Sequence, residues 1–229
     1  MGIEENVREV RESITEACIR AGRDPQEVTL MGVTKNHGPE VVRAGYEAGL
    51  RCFGENRVQE AAEKYTQRPE DLDLHLVGHL QRNKARAACE LFSTVQSIDR
   101  LETAEALEKH CAAGEVSMRV LLEVNTSAEE TKYGVRGEDS LRELLEGILP
   151  LEHVHPVGLM TLAPFTEEEH PIRRSFRELR RLFMQLRSGY PDLDFSVLSM
   201  GMSNDYLIAV EEGTTMVRLG TRLFGERRR

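Results

Sequence analysis

Short apolar runs alternate with amphipathic stretches along almost all of this chain, and few folds tolerate that pattern. VTLMGVTK at 28–35 is rich in β-branched residues and too short for a buried helix, so it reads as a strand. Comparable runs at 51–53, 73–77, 94–97, 117–124, 154–160, 194–198 and 215–219 bring the total to eight. They lack strict in-out alternation, as strands of a parallel sheet covered by helices do. Helical patterns fill the intervals: from Gly38-Pro39 to Gly49, Asn56 to Tyr65, then 83–91, 100–113, 138–148, 167–188 and 204–212. Ahead of them Ile3, Val7, Val10, Ile14, Ala17 and Ala21 recur at helical spacing, and Gly22 closes that opening helix.

Eight strand–helix units in 229 residues fit a (β/α)₈ barrel, a fold of roughly 250 residues, with one extra N-terminal helix. An open doubly wound sheet is the competitor, but no G-x-G-x-x-G follows any strand. No linker, low-complexity stretch or repeat interrupts the pattern, so residues 1–229 are expected to form a single domain.

Composition narrows the setting. With 39 Asp and Glu against 30 Lys and Arg, the net charge of −9 repels phosphate backbones and anionic lipid, so neither nucleic acid nor a membrane is expected as a partner. Cys18, Cys52, Cys89 and Cys111 are widely spaced and form no C-x-x-C pair, which suits a reducing cytoplasm. The acidic start MGIEENVREV is not a secretory signal, and no apolar run reaches about 18 residues. Gly2 lacks the Ser or Thr that follows a myristoylation site, and the sequon Asn125-Thr126-Ser127 matters only in a secreted chain.

In such a barrel the chemistry lies at the C-terminal ends of the strands. Lys35 ends the first: either it snorkels to water, or low-dielectric walls lower its pKa and leave a neutral amine able to attack an aldehyde. Ser203 precedes the helical pattern Asn204 to Val210, as an ordinary N-cap or as part of an anion site. Gly220 and Thr221 add backbone N–H groups and a hydroxyl at the neighbouring last strand, and two adjacent anion cradles suggest one phosphate. Arg218 is either a buried ion-pair partner or a donor to a ligand ring nitrogen, which a permanent cation would keep unprotonated. Asn56 reads first as a helix cap with Gln59 as its capping-box partner.

Metal and hydrolase patterns fail one by one. His75 and His79 have i, i+4 spacing but no zincin glutamate, and Gly78 interrupts them. His153 and His155 precede their strand and so sit at the wrong end of a barrel. Gly201-Met202-Ser203-Asn204-Asp205 lacks the second glycine of a nucleophile elbow, and no Walker pattern occurs. Arg173, Arg174, Arg177, Arg180 and Arg181 flank an apolar stripe of Ile172, Phe176, Leu179, Phe183 and Leu186 and read as a solvated face. Arg227-Arg228-Arg229 reads as a frayed tail.

Taken together, GVTK at 32–35, FGENRVQE at 53–60, HLVGHLQRNK at 75–84, VNTSAEETKYGV at 124–135, GLMT at 158–161, LSMGMSNDY at 198–206 and VRLGTRLFGER at 217–227 closely resemble the pyridoxal phosphate homeostasis proteins. The resemblance covers nearly the whole chain, in order. It implies a single-domain (β/α)₈ barrel similar to the N-terminal domain of alanine racemase, holding pyridoxal 5'-phosphate (PLP) as an aldimine on Lys35. It assigns Ser203, Gly220 and Thr221 to the phosphate and Arg218 to the pyridine nitrogen, with Asn56 and Met200 lining the cofactor. Arg57 replaces the aromatic residue usual after G-E-N, and Leu74 a common tryptophan. Neither touches the predicted linkage.

Alanine racemase adds a second domain and a partner-subunit tyrosine above the cofactor, whereas only 11 residues follow Arg218 here. With the ring nitrogen facing Arg218 and no evident second base, bound cofactor would stabilise carbanions poorly. The resemblance therefore implies a monomeric, non-enzymatic carrier and regulator of free PLP, with PLP-dependent apoenzymes as recipients. The alternative is a PLP-dependent amino-acid racemase, with a water or His79 as second base. A metal-dependent barrel hydrolase is a distant third reading.

Overall fold

The computed structural model describes residues 2–127, 129 and 131–225; Ala128 and Glu130 of the 124–135 motif, and the terminal Arg227-Arg228-Arg229 run, lie outside the described residues. Eight parallel strands close on themselves: β1 Thr29–Val33, β2 Cys52–Glu55, β3 Asp73–Leu76, β4 Thr94–Ile98, β5 Met118–Glu123, β6 Val154–Met160, β7 Val197–Ser199 and β8 Met216–Leu219. Each pairs with the next, and β8 returns to β1 in the register Thr29↔Met216 to Gly32↔Leu219. Closure removes every free sheet edge.

Around the strands lie α1 Ile3–Arg20, α2 Pro39–Glu47, α3 Val58–Lys64, α4 Ala85–Leu91, α5 Leu101–Gly114, α6 Glu138–Ile148, α7 Glu169–Gly189, α8 Tyr206–Glu211 and α9 Thr221–Phe224. The expected barrel with an extra N-terminal helix is therefore present. Helix α1 buries Val7, Val10, Ile14, Ala17 and Cys18 and is tied to the end of the chain by Asn6 Nδ2 donating to Leu223 O at 2.9 Å.

Two kinds of core result. The larger lies between strands and helices and takes in the α7 stripe Ile172, Phe176, Leu179, Phe183 and Leu186, all buried as the spacing predicts. Each such side chain contributes about 1.5–3 kcal/mol by leaving water. Inside the barrel the apolar clusters are small, Met31, Val33, Cys52 and Met216 in one, Leu121, Val157 and Met160 in another. The remaining interior is polar, and His75, Thr94, Gln96, Ser199 and Arg218 are buried there.

Two local expectations are corrected. Strand β7 is Val197–Ser199 rather than 194–198, because Phe195 turns away and stacks on Phe183 at 5.5 Å. The arginines of α7 are more than a solvated face: Arg173 bridges to Glu211 at 2.7 Å and Glu212 at 2.8 Å, fastening α7 to α8, and Arg181 reaches Glu138 of α6 at 3.3 Å. Gly158 lets β6 approach β7 closely, since a Cβ there would lie 1.7 Å from the Val197 carbonyl oxygen.

Candidate functional site

The chain leaves β1 through a tight turn that carries Lys35. His37 N–H donates to Thr34 O at 3.0 Å, and Asn36 takes a left-handed φ of 61°, which asparagine tolerates better than most residues. The turn is braced from below. Lys64 Nζ donates to Thr34 O and Glu55 Oε1, both at 2.7 Å, and to Glu60 Oε1 at 2.9 Å, while Glu60 accepts the Asn36 N–H. Thr34 Oγ1 donates to Glu55 Oε1 at 2.6 Å and lies 2.7 Å from Tyr65 Oη. The peptide groups before and after Lys35 are thus both held by one ion-paired cluster.

Burial pushes the Glu55 carboxyl up, opposed by its Lys64 and Thr34 hydrogen bonds, and its Oε2 is buried without a hydrogen-bond partner. Partial burial acts the same way on Glu60, but Lys64 and the Asn36 amide prevail and hold it below the usual carboxylate range. The bracing residues escape a linear reading because they come from β2, α3 and the β1 turn, and Lys64 alone looks like a solvent-facing helix residue.

At the ends of β7 and β8 the backbone builds a second feature. Gly201, with φ 98°, turns the chain out of β7, and a Cβ there would meet Ala209 Cβ at 2.6 Å. Ser203 does not cap α8. The N-cap is Asp205, whose Oδ1 accepts the Met202 N–H and pins the loop. Ser203 Oγ instead accepts from Arg222 N at 3.4 Å, in the first turn of α9, whose N-cap is Gly220 and whose first residue is Thr221. The amides of a first helical turn have no intrahelical acceptor, so Ser203, Gly220 and Thr221 gather donors at one place. A Cβ at Gly220 would lie 3.1 Å from the Val33 carbonyl oxygen, which puts this cradle beside the strand that delivers Lys35.

Arg218 lies inside β8, 4% exposed. Its Nη1 donates to Ser199 Oγ at 2.6 Å and its Nη2 to Thr161 O at 2.8 Å. Burial pulls it down to about 10, with Asp205 and Glu123 opposing, so it stays a cation at neutral pH. Glu123, the last residue of β5, is pushed up to about 7 by burial and by Asp99, against Arg218.

Other predicted residues fall as follows. Asn56 follows β2 half-buried, but α3 is capped by Arg57 without a side-chain bond, so the Asn56–Gln59 capping box does not form. Glu60, at the third helical position, is engaged by Lys64 and Asn36. The Met200 side chain packs into the outer core, leaving its backbone on the side of the mouth. His75 and His79 share no site: His75 is buried in the barrel interior, whereas His79 stacks on Tyr133 at 4.2 Å. His153 lies before β6, as expected, and its Nδ1 is 2.8 Å from Glu108 Oε1.

Known proteins share this fold. The model of the alanine racemase N-terminal domain matches residues 3–228. A pyridoxal phosphate homeostasis protein from Aquifex aeolicus is 43% identical over 225 residues, covering 98% of each chain. Another from Pseudomonas aeruginosa is 41% identical over 226 residues, covering 98% of this chain and 96% of the relative. Among solved structures, PipY of Synechococcus elongatus with PLP bound superposes with a TM-score of 0.84 at 36% identity, over 97% of this chain and 100% of that one. Matched over nearly its whole length by that family model and by these relatives, the chain belongs to the pyridoxal phosphate homeostasis proteins, within the alanine racemase N-terminal domain family.

Proposed function

We propose that this chain holds PLP at the C-terminal mouth of its barrel, covalently through Lys35 Nζ, and serves intracellular PLP homeostasis as a carrier and buffer of the free cofactor. The observation that carries the reading is the joining of the two halves of the mouth. Ser203 Oγ reaches the first turn of α9 beside Gly220, and Gly220 adjoins the β1 strand end that presents Lys35. That cradle has the donor chemistry for a phosphate ester, and an amine beside it has the chemistry for an aldehyde.

Roles follow for this chain's own groups. Ser203, Thr221 and the amides at Gly220 grip the phosphate. Lys64, Glu55 and Glu60 hold the backbone of the Lys35 turn in one conformation, so the strand end that presents its amine is fixed in advance. Arg218 offers N–H donors toward the ring nitrogen, and Asn56 and the Met200 backbone line the rim. PLP, when bound, supplies an electrophilic aldehyde and a ring able to withdraw electrons. A cationic Arg218 cannot give the ring nitrogen a proton at neutral pH, so that withdrawal stays weak, and the chain stores cofactor rather than turning substrate over. We take it to act as a single-domain monomer in the cytoplasm, passing PLP to dependent apoenzymes.

Titrating the full chain with PLP tests this. The expected result is a saturable visible band, weakened in Ser203→Ala and lost in Lys35→Ala, with no solvent deuterium entering the α-carbon of amino acids. Deuterium uptake that stops in Lys35→Ala would establish the racemase alternative instead. No band in the wild-type chain would end the PLP reading altogether.

A further inference from the structure

Beneath Arg218, polar side chains run through the barrel from its mouth to its floor. Arg218 Nη1 donates to Ser199 Oγ at 2.6 Å, and Ser199 Oγ donates to Gln96 Oε1 at 2.7 Å. Gln96 Nε2 lies 2.8 Å from His75 Nδ1, and His75 Nε2 lies 2.8 Å from Asp73 Oδ2. Asp73, at the first position of β3, also accepts from Arg119 Nη2 at 3.0 Å on both oxygens and from Ser93. Ser199 and Gln96 are fully buried and His75 is 3% exposed, so none of them exchanges a partner with bulk water.

Chemistry at the two ends fixes the sense of every link. A guanidinium has donors and no acceptor. Burial disfavours the charge of Asp73, but His75, by hydrogen bond and by charge, then the Ser93 hydrogen bond and the Arg119 charge hold its carboxyl well below the usual range, so it only accepts. Between a donor-only head and an acceptor-only foot, Ser199 spends its proton on Gln96, Gln96 its amide proton on His75, and His75 its Nε2 proton on Asp73. Reversing Gln96 would leave the Ser199 proton facing an amide NH₂ and would strip Gln96 Nε2 of its 3.2 Å contact with Met216 Sδ. An unmet buried donor costs more than the bond it forgoes.

We infer that Gln96, His75 and Asp73 are positioning residues which act through Ser199 to aim Arg218 at the ring nitrogen of bound PLP, with His75 locked as its Nε2–H tautomer. The inference rests on the PLP reading only for the ligand; the direction of the chain is a property of the protein alone. The same geometry places Cys52 Sγ 3.8 Å from His75 Nε2, a cluster with metal-ligand spacing. A nitrogen that carries a proton toward Asp73 is not a metal ligand, and burial pushes the Cys52 thiol up, away from thiolate.

The test combines a direct and a chemical readout. Nitrogen-15 histidine spectra of the full chain at pH 8, before adding PLP, should show His75 neutral and protonated at Nε2. An Nδ1–H tautomer, an imidazolium or stoichiometric zinc on His75 would overturn the inference, and none of these needs a variant. Then His75→Gln, which keeps one acceptor and one donor, is compared with His75→Leu, which keeps neither. PLP should bind about tenfold more weakly to His75→Leu, with a shifted visible band, and His75→Gln should recover both. Equal behaviour of the two variants would overturn it. If the wild-type spectrum shows the Nε2–H tautomer but PLP gives no band, the cofactor reading fails and the chain of hydrogen bonds stands.

Discussion

Replacing Glu123 by glutamine should make this protein more stable at pH 8 than at pH 5 relative to the parent chain. Glu123 is 5% exposed at the end of β5 and is pushed up to about 7, chiefly by burial, then by Asp99, with Arg218 opposing. The ordinary glutamate value of 4.5 applies to the unfolded chain. Below that pH both states hold the proton and the group is silent. Between 4.5 and about 7 the unfolded state releases the proton first, binds fewer protons than the native state, and stability falls with rising pH. A shift of roughly 2.5 units at about 1.4 kcal/mol each sets the size of that loss at about 3 kcal/mol. Glutamine carries no charge at any pH, so the difference between variant and parent should grow by that amount across the window. For a chain of this length it corresponds to a Tm difference of about 6–12 °C. Urea titrations of both proteins at pH 4.5, 6 and 8 would measure it, and other titrating groups cancel in the difference. A stability difference independent of pH, or one that shrinks toward pH 8, would refute the assignment of a buried, proton-holding carboxyl beside Arg218.

Three further outcomes are expected. Lys64→Met strips Glu55 of its cation inside the core and should cost about 3–5 kcal/mol in urea unfolding, with slower capture of PLP by Lys35. Gly201→Ala forces a methyl onto Ala209 at φ 98° and should cost at least ~1–2 kcal/mol. Inorganic phosphate is expected to compete with PLP for the cradle, and this competition should be weaker in Gly201→Ala because the same turn leads to Ser203. Phe176→Ala should cost about 3–5 kcal/mol by opening a cavity beneath α7, with PLP binding at 10 °C unchanged.

The barrel was legible because each strand is a local apolar run and each helix a periodic stripe, and both signals survive without tertiary context. Strand β7 was misplaced because its core is only three residues and the neighbouring Phe195, equally strand-like, serves the helix layer. Helix α9 spans Thr221–Phe224, too short for any period, so the expected cradle at Gly220 and Thr221 appeared in the sequence without the helix that builds it. Ser203 looked like a cap because it stands before a helical pattern, yet Asp205 lies closer to the helix start and takes the Met202 amide. Lys64, Gln96 and Ser199 could not be read at all. Each becomes meaningful only when another strand or helix brings its partner within 3 Å, and no spacing in one segment encodes that.

Trapping the linkage tests the whole account most directly. The full chain, incubated with PLP and reduced with borohydride, should yield one modified proteolytic peptide, with the added mass on Lys35 and absent from the Lys35→Ala protein. Modification spread over several surface lysines, or one confined to a lysine other than Lys35, would contradict it.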